Sequence, residues 1–399
     1  MKKILAMLLV AIMMLSMAAC AGTNENNDDE AKALKVGFIF LHDENSTYDK
    51  NFIDAAKQAC QEMNVTMVQK TQIPESNECY DAAIELIEVD GCDIIFADSF
   101  GHESFLMKAA EENPDVQFCH ATGTQAHTAT NLKNFHNAFA SIYQGRYAAG
   151  VVAGLKLKEM MEAEPTIVPK MGYVGAFTFA EVMSGYTSFY LGAKSIVPEV
   201  TMDVKFTGSW YDETKEKQAA KALIDGGCVL ISQHADSMGA PTACEDAGVP
   251  NVSYNGSTAA ACPETFLISS RINWVPYFKY MISQVQAGKP IDVDWTGTLE
   301  TGSVMLTELG KNVAAGTQEK LDEVLTGLKN GTINVFDTAN FTVSGNKLTS
   351  YMADVDTDEA FTKDTEVIEN GIFMESKFRS GPYFDVEIDG INLLDRNYG

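Results

Sequence analysis

The chain has 399 residues with a formal charge of −26, 46% hydrophobic residues and eight cysteines. That length suits two α/β domains of ordinary size. The acidic balance repels phosphate backbones, so nucleic acid is excluded as a natural partner. Beyond Cys20 the cysteines number seven (60, 79, 92, 119, 228, 244 and 262) with no CxxC spacing, so neither a full disulfide framework nor a zinc knuckle is signalled. Buried thiols are the expectation, because several of these cysteines lie in or beside apolar runs.

In chain order, "MKKILAMLLVAIMMLSMAAC" is a basic, then apolar, then small-residue leader, the plan of a secretory signal over 1–19. Its "SMAAC" ending resembles the lipobox of bacterial lipoproteins. That implies cleavage before Cys20, lipidation there, and anchoring on the extracytoplasmic face of the cell membrane. A plain secretory signal with an incidental cysteine is the competing reading. The polar, acidic stretch 20–34 then reads as a tether.

Short apolar runs alternate with helical patterns after Lys35. "KVGFIF", "VTMVQK", "CDIIFAD" and "VQFCHATG" form one series; "KMGYVGAF", "TMDVKFTGSW", "CVLISQHAD" and "NVSYNG" form a second. Unbroken rather than alternating hydrophobicity predicts strands covered on both faces, hence parallel sheets between helix layers. The long run "NAFASIYQGRYAAGVVAGLKLKEM" between the series reads as one core helix, its Gly145, Ala149, Gly150, Ala153 and Gly154 making a face for close packing. The fold class expected is α/β, two doubly wound Rossmann-like domains with a cleft between them and a C-terminal strand-rich extension. The predicted boundaries are 35–140 with 257–295 for the N-terminal lobe, 141–256 for the C-terminal lobe and 296–399 for the extension. Within the extension, "INVFDTANFTVSGNKLTSYMADV" reads as alternating strands and "TQEKLDEVLTGLKNG" as an amphipathic helix.

The stretch "VLISQHADSMGAP" brings His234, Asp236 and Ser237 together, the residue types of a hydrolytic triad. His234 and Asp236 at i, i+2 share one strand face while Ser237 turns away, and the GxSxG elbow is absent. HExxH, calcium loops, GxxxxGK[ST] and GxGxxG are also missing, so no metal or cofactor is expected. What recurs instead is polar and aromatic residues at strand ends. These are Tyr48 and Asn51, then Asp98, Ser99 and Phe100, then Phe177 and Phe179, then Trp210, then His234 and Asp236, then Tyr254 and Asn255. Ligands of doubly wound sheets sit beyond the carboxyl ends of strands, and flat rings with convergent carboxylates suit a planar, hydrogen-bonding ligand.

The segments "GCDIIFADSFGHESFLMKAAEENPDVQF", "SIYQGRYAAGVVAGLKL", "KMGYVGAFTFAEVMSGYTSFYLGAKSIVPEV", "SWYDETKEKQAAKALIDGGCVLISQHADS" and "SRINWVPYFKYMI" occur in this order between Lys35 and Gly331. They resemble the basic membrane protein family of bacterial lipoproteins, substrate-binding proteins of ABC importers that include purine nucleoside receptors. The resemblance implies a type I periplasmic-binding-protein fold and no enzymatic activity. It also implies a purine held between aromatic rings in a monomeric receptor that serves an ABC permease and ATPase. By position it implies ligand contacts at Tyr48, Asn51, Phe100, Phe177, Trp210, Asp236 and Asn255, with His234 and Asp236 reading the base edge. The form "SWYD…QHADS" looks closer to an adenine-binding branch, and the first loop offers "TYDKNF" in place of the nucleoside receptors' Asp-Lys-Ser-Phe-Asn run, which favours a free base. A sensor receptor without transport and a nucleoside hydrolase using Asp98 or Asp236 are the alternatives.

Overall fold

The computed structural model describes residues 33–129, 131–355 and 365–396. The leader, Cys20 and nearly all of the tether lie outside them. Leu34 already packs against the core of the following body, so the tether ends before it.

Strands β1 (Lys35–Ile39), β2 (Thr66–Lys70), β3 (Ile94–Ala97), β4 (Gln117–Ala121) and β5 (Phe135–Ala140) form a parallel sheet. Helices α1 (Thr47–Met63), α2 (Asn77–Glu88) and α3 (Glu103–Glu112) connect them. Helix α4 (Ile142–Ala163) then carries the chain to a second sheet of β6 (Lys170–Gly175), β7 (Thr201–Phe206), β8 (Leu230–Gln233), β9 (Asn251–Tyr254) and β10 (Phe266–Ile272). Its connections are α5 (Ala180–Lys194), α6 (Glu213–Asp225) and α7 (Gly239–Ala247). Helix α8 (Val275–Gln286) returns to the first lobe, where β11 (Asp294–Gly297) pairs in parallel with β5. Strand β12 (Val304–Leu306) pairs antiparallel with β10, and α9 (Thr317–Lys329) packs near α4. The two sheets therefore share one plan, β2-β1-β3-β4-β5-β11 and β7-β6-β8-β9-β10-β12, the second extended at β7 by a terminal strand Ile391–Leu393.

Three expectations change. Residues Phe135–Ala140 form a strand, not the start of the long helix; all six are buried between β4 and β11. Their remote partner β11 is invisible to local periodicity, so tertiary pairing overrides an apparent helical pattern. Segment 257–295 does not belong to the N-terminal lobe as a unit. Strand β10 completes the second sheet, while Trp274, Tyr277, Phe278 and Met281 pack with Phe38, Phe52 and Phe96 in the first-lobe core. The expected extension 296–399 is woven into the body, because β11 and β12 finish the two sheets. Its "INVF…MADV" stretch is mostly turns. Val335, Phe336 and Phe341 bury themselves in the second-lobe core from irregular backbone. The seven cysteines described are buried, unbridged thiols.

The small-residue face of α4 meets α5 closely. A Cβ placed on Gly150 would lie 2.0 Å from the carbonyl oxygen of Phe189, a backbone atom that cannot swing aside. Ala is ordinarily the better helix former by about 1 kcal/mol, so Gly150→Ala would stabilise an unconstrained helix. Here overpacking decides the sign, and a loss of about 1–3 kcal/mol is expected. Urea denaturation measures it; a stabilised variant would show that α4 and α5 do not pack at this separation.

Candidate functional site

The carboxyl ends of both sheets face a shared, partly open pocket of about 330 Å³. Its walls are Leu41, His42, Tyr48, Asp49, Ser99, Phe100 and Thr122 from the first lobe, and Glu181, Trp210, His234 and Asp236 from the second. Of the nine residues expected to touch ligand, Tyr48, Phe100, Trp210, His234 and Asp236 line this space. The other four stand behind it. The Nδ2 of Asn51 donates to the Ile272 carbonyl at 2.5 Å, bracing the crossing into α8. Asp98 is fully buried and accepts from the Leu41 amide at 3.1 Å. Phe177 backs Trp210 edge-on, with ring centroids 4.9 Å apart. Asn255 is buried below the wall at a left-handed φ of 62°.

On the first-lobe side, Ser46 caps α1. Its hydroxyl donates to the Asp49 carboxylate at 2.6 Å and accepts from the Asp49 amide at 3.1 Å. Asp49 also accepts from the His42 amide at 2.7 Å and faces its Nδ1 at 3.3 Å. Burial alone would raise the pKa of Asp49, but these bonds outweigh it and hold the carboxyl below its usual value. Tyr48 donates its hydroxyl to the Asp98 carbonyl at 2.7 Å, which fixes the ring as a wall. Burial, then the charge of Asp49, pushes the Asp98 carboxyl well above the ordinary range. Its Oδ1 is held by the Leu41 amide, while its Oδ2 is buried with no partner among the described residues. Thr122, a β-branched residue at φ 65°, ends β4 in a conformation that costs on the order of 1 kcal/mol and is found mostly at functional sites.

On the second-lobe side, the buried Arg146 of α4 donates to the Gln233 carbonyl at 3.0 Å and to His234 Nδ1 at 3.1 Å. Its guanidinium lies 3.4 Å over the Tyr254 ring. Burial and the Arg146 charge lower the pKa of His234. The neutral ring therefore carries its proton on Nε2, which faces Glu181 at 3.4 Å. Ser237 turns to α7, its hydroxyl accepting from the Gly239 amide at 3.0 Å. No nucleophile–base pair forms, because both nitrogens of His234 are engaged elsewhere.

Asp236 is only 3% exposed, and its carboxylate accepts no hydrogen bond among the described residues. Burial raises its pKa well above the usual value, with further contributions from the charges of Asp49, Glu216 and Glu181. A buried carboxylate without a donor is costly, which is why this group holds its proton more tightly, and its oxygens keep hydrogen-bonding capacity toward the pocket. Its backbone meanwhile joins the lobes: the Asp236 carbonyl accepts from the Thr47 amide at 3.0 Å and the Thr47 hydroxyl at 3.1 Å. Aromatic contacts cross the same gap between Phe100 and Phe179, centroids 5.2 Å apart, and between His42 and Tyr211 at 5.3 Å.

Residues missed from sequence are Leu41, His42, Asp49, Thr122 and Glu181 in the wall, and Arg146 behind it; Ser99, one of the strand-end residues read from the sequence, lines the wall. All the wall residues follow the carboxyl end of a strand, so that rule applied to every strand would have found them. Arg146 gave no local signal inside an apolar helix. Among the described residues no group of three possible ligands is placed to hold a metal, and no helix is long and apolar enough to cross a membrane.

A profile of PnrA-like ABC transporter substrate-binding proteins, the Bmp family, matches residues 38–339. The chain belongs to this family. Among relatives, a putative ABC transporter glucose-binding protein of Haloferax volcanii is 36% identical over 58% of this chain and 55% of its own length. A purine-binding protein of Brucella abortus is 32% identical over 76% of this chain and 83% of its own. An ABC transporter solute-binding protein of Conexibacter woesei superposes with a TM-score of 0.59 at 20% identity, over 75% of this chain and 98% of its own, which shows the fold. These are named as binding proteins, in keeping with a site that lacks an assembled nucleophile.

The raised pKa of Asp236 has a defined consequence. The native state binds this proton more tightly than the unfolded chain does. Stability from this group is therefore full below the unfolded value near pH 4 and lost as pH climbs through the folded pKa. Ligand-free Asp236→Asn, which cannot ionise, should gain on the wild type progressively from about pH 4 upward. Thermal melts across that range test it; a constant offset between the two proteins would contradict the assignment.

Proposed function

We propose that this Bmp-family receptor captures a purine, base or nucleoside and adenine-like in its edge chemistry, between its two lobes. It then presents the closed form to an ABC permease and its ATPase on the extracytoplasmic face, held to the membrane by lipid on Cys20. The single observation that carries the reading is Asp236: a buried, donorless carboxylate at the wall of a space bounded by Tyr48, Phe100 and Trp210. A purine supplies the flat π-face those rings suit and an N–H for the carboxylate, a charge-assisted hydrogen bond. The neutral His234 beside it adds a fixed edge. The Brucella relative's name points the same way.

Hinge closure fits the connectivity. Three crossings join the two sheets, at Ala140–Ile142, Ile272–Val275 and Gly297–Val304, and the Thr47–Asp236 bonds break on opening. Presentation to a membrane sensor rather than a permease would use the same closed form.

Isothermal titration of ligand-stripped protein against adenine, guanine, hypoxanthine, adenosine, guanosine, uridine and glucose tests the reading; glucose is included because of the Haloferax relative's name. One-site binding of a purine is expected, weakened about tenfold to a hundredfold in Asp236→Asn. Binding of glucose alone would overturn it. Turnover of a nucleoside would instead support the hydrolase alternative.

A further inference from the structure

A second space of about 460 Å³ adjoins the first, because Phe100, Thr122 and Glu181 line both. Its remaining walls are Thr124, Phe179, Ala180 and a C-terminal turn of Arg379, Gly381 and Pro382. That turn lies beyond residue 339, where the family match ends.

The segment carrying it spans the two lobes. At one end Glu375 accepts from the Ser184 hydroxyl of α5 at 2.5 Å, in the second lobe. Five residues on, the Ser380 amide donates to Asp294 of β11 at 2.6 Å, in the first. At Gly381 the backbone passes so close to the loop after β4 that a Cβ there would lie 2.9 Å from the Gly123 carbonyl oxygen.

Arg379 sits in the middle of this strap and is only 8% exposed. Its Nε donates to the Gly381 carbonyl at 3.0 Å and its Nη2 to the Pro382 carbonyl at 3.2 Å, which pins the guanidinium plane. Its Nη1 has no partner among the described residues. This buried guanidinium, held on two sides with its third nitrogen unpartnered, lines a space continuous with the cleft; Asp354, Glu103 and Asp294 are the acidic groups that act on it, and an acceptor entering from that space would satisfy the free N–H. The Glu181 carboxylate lines the same space; its Oε1 faces His234 Nε2 at 3.4 Å, leaving it able to accept a further hydrogen bond, and Thr122 and Thr124 line the same space.

We propose that residues 375–382 complete the binding site, strapping the lobes across the cleft and presenting Arg379 to a hydroxylated substituent on the captured ring. A hydroxyl both accepts from Arg379 and donates to Glu181. A phosphate satisfies the first and is repelled by Glu181 and Asp236. This rests on the purine reading for the ring but not for the substituent.

The test compares adenine, adenosine, adenosine monophosphate, ribose and glucose by isothermal titration on the full-length protein, with Arg379→Ala, Arg379→Lys and the wild type. Wild type should prefer adenosine, and Arg379→Ala should lower the adenosine-to-adenine affinity ratio about tenfold or more, the loss of one charged hydrogen bond. Arg379→Lys, which keeps the charge, should restore part of the ratio and serves if the alanine variant fails to fold. An unchanged ratio in a folded variant overturns the proposal, as does tightest binding of the monophosphate lost in Arg379→Ala, which would make the substituent an anion. If no purine binds but ribose or glucose does, and Arg379→Ala abolishes that, the purine reading falls while the strap stands. If wild type binds none of these, both fall.

Discussion

The second lobe's half of the site depends on one buried cation. Arg146 enters the core on α4, with its guanidinium stacked over Tyr254 and bonded to Gln233 and His234. A buried charge needs partners, and here they are a π-face, a carbonyl and an imidazole rather than a carboxylate. Its field also lowers the protonation tendency of Asp236, partly offsetting the burial and the neighbouring acids that raise it. Burial already holds His234 neutral, and the Arg146 N–H bonded to its Nδ1 directs the one proton to Nε2. The display of residues 233–236 toward the cleft is thus set from inside the helix layer.

The second constraint is the repeated sheet plan. The fourth strand of each sheet in chain order, β4 and β9, ends in a non-glycine residue with positive φ, Thr122 in the first lobe and Asn255 in the second. Asn tolerates that region, whereas a β-branched Thr does not do so readily. The strain falls where the two lobes come together, and the hydrogen bond from the Thr122 amide to the Ala138 carbonyl holds the turn in place. Duplicated architecture thus delivers an equivalent turn in each lobe, with Thr122 lining the space and Asn255 buried behind its wall.

Much of this was legible in the sequence. Continuous apolar strands announced both parallel sheets, and the glycines of α4 announced its close packing with α5. Five of nine expected contacts reached the cavity, because strand ends are where such folds place ligands. The rest failed for definable reasons. Asn51, Asp98, Phe177 and Asn255 sit in the right turns, but residue type cannot say which side chain faces the space and which braces the loop. Strand β5 depended on a partner more than 150 positions away. The second-lobe burial of Phe336, Phe341 and Phe384 depended on irregular backbone with no period to detect.

Asp236 unites these levels, because its two ends serve different partners. The backbone carbonyl is bonded by Thr47 of the opposite lobe, while the side chain faces the pocket without a donor. In the empty closed form the first contact favours closure and the second opposes it, since closing takes the carboxylate out of water. A ligand N–H removes the opposition and leaves the latch. A donor to this carboxyl group therefore shifts the balance toward closure at a single residue. A receptor whose closed state must report a filled cleft needs that coupling, and here it requires no relay between distant sites.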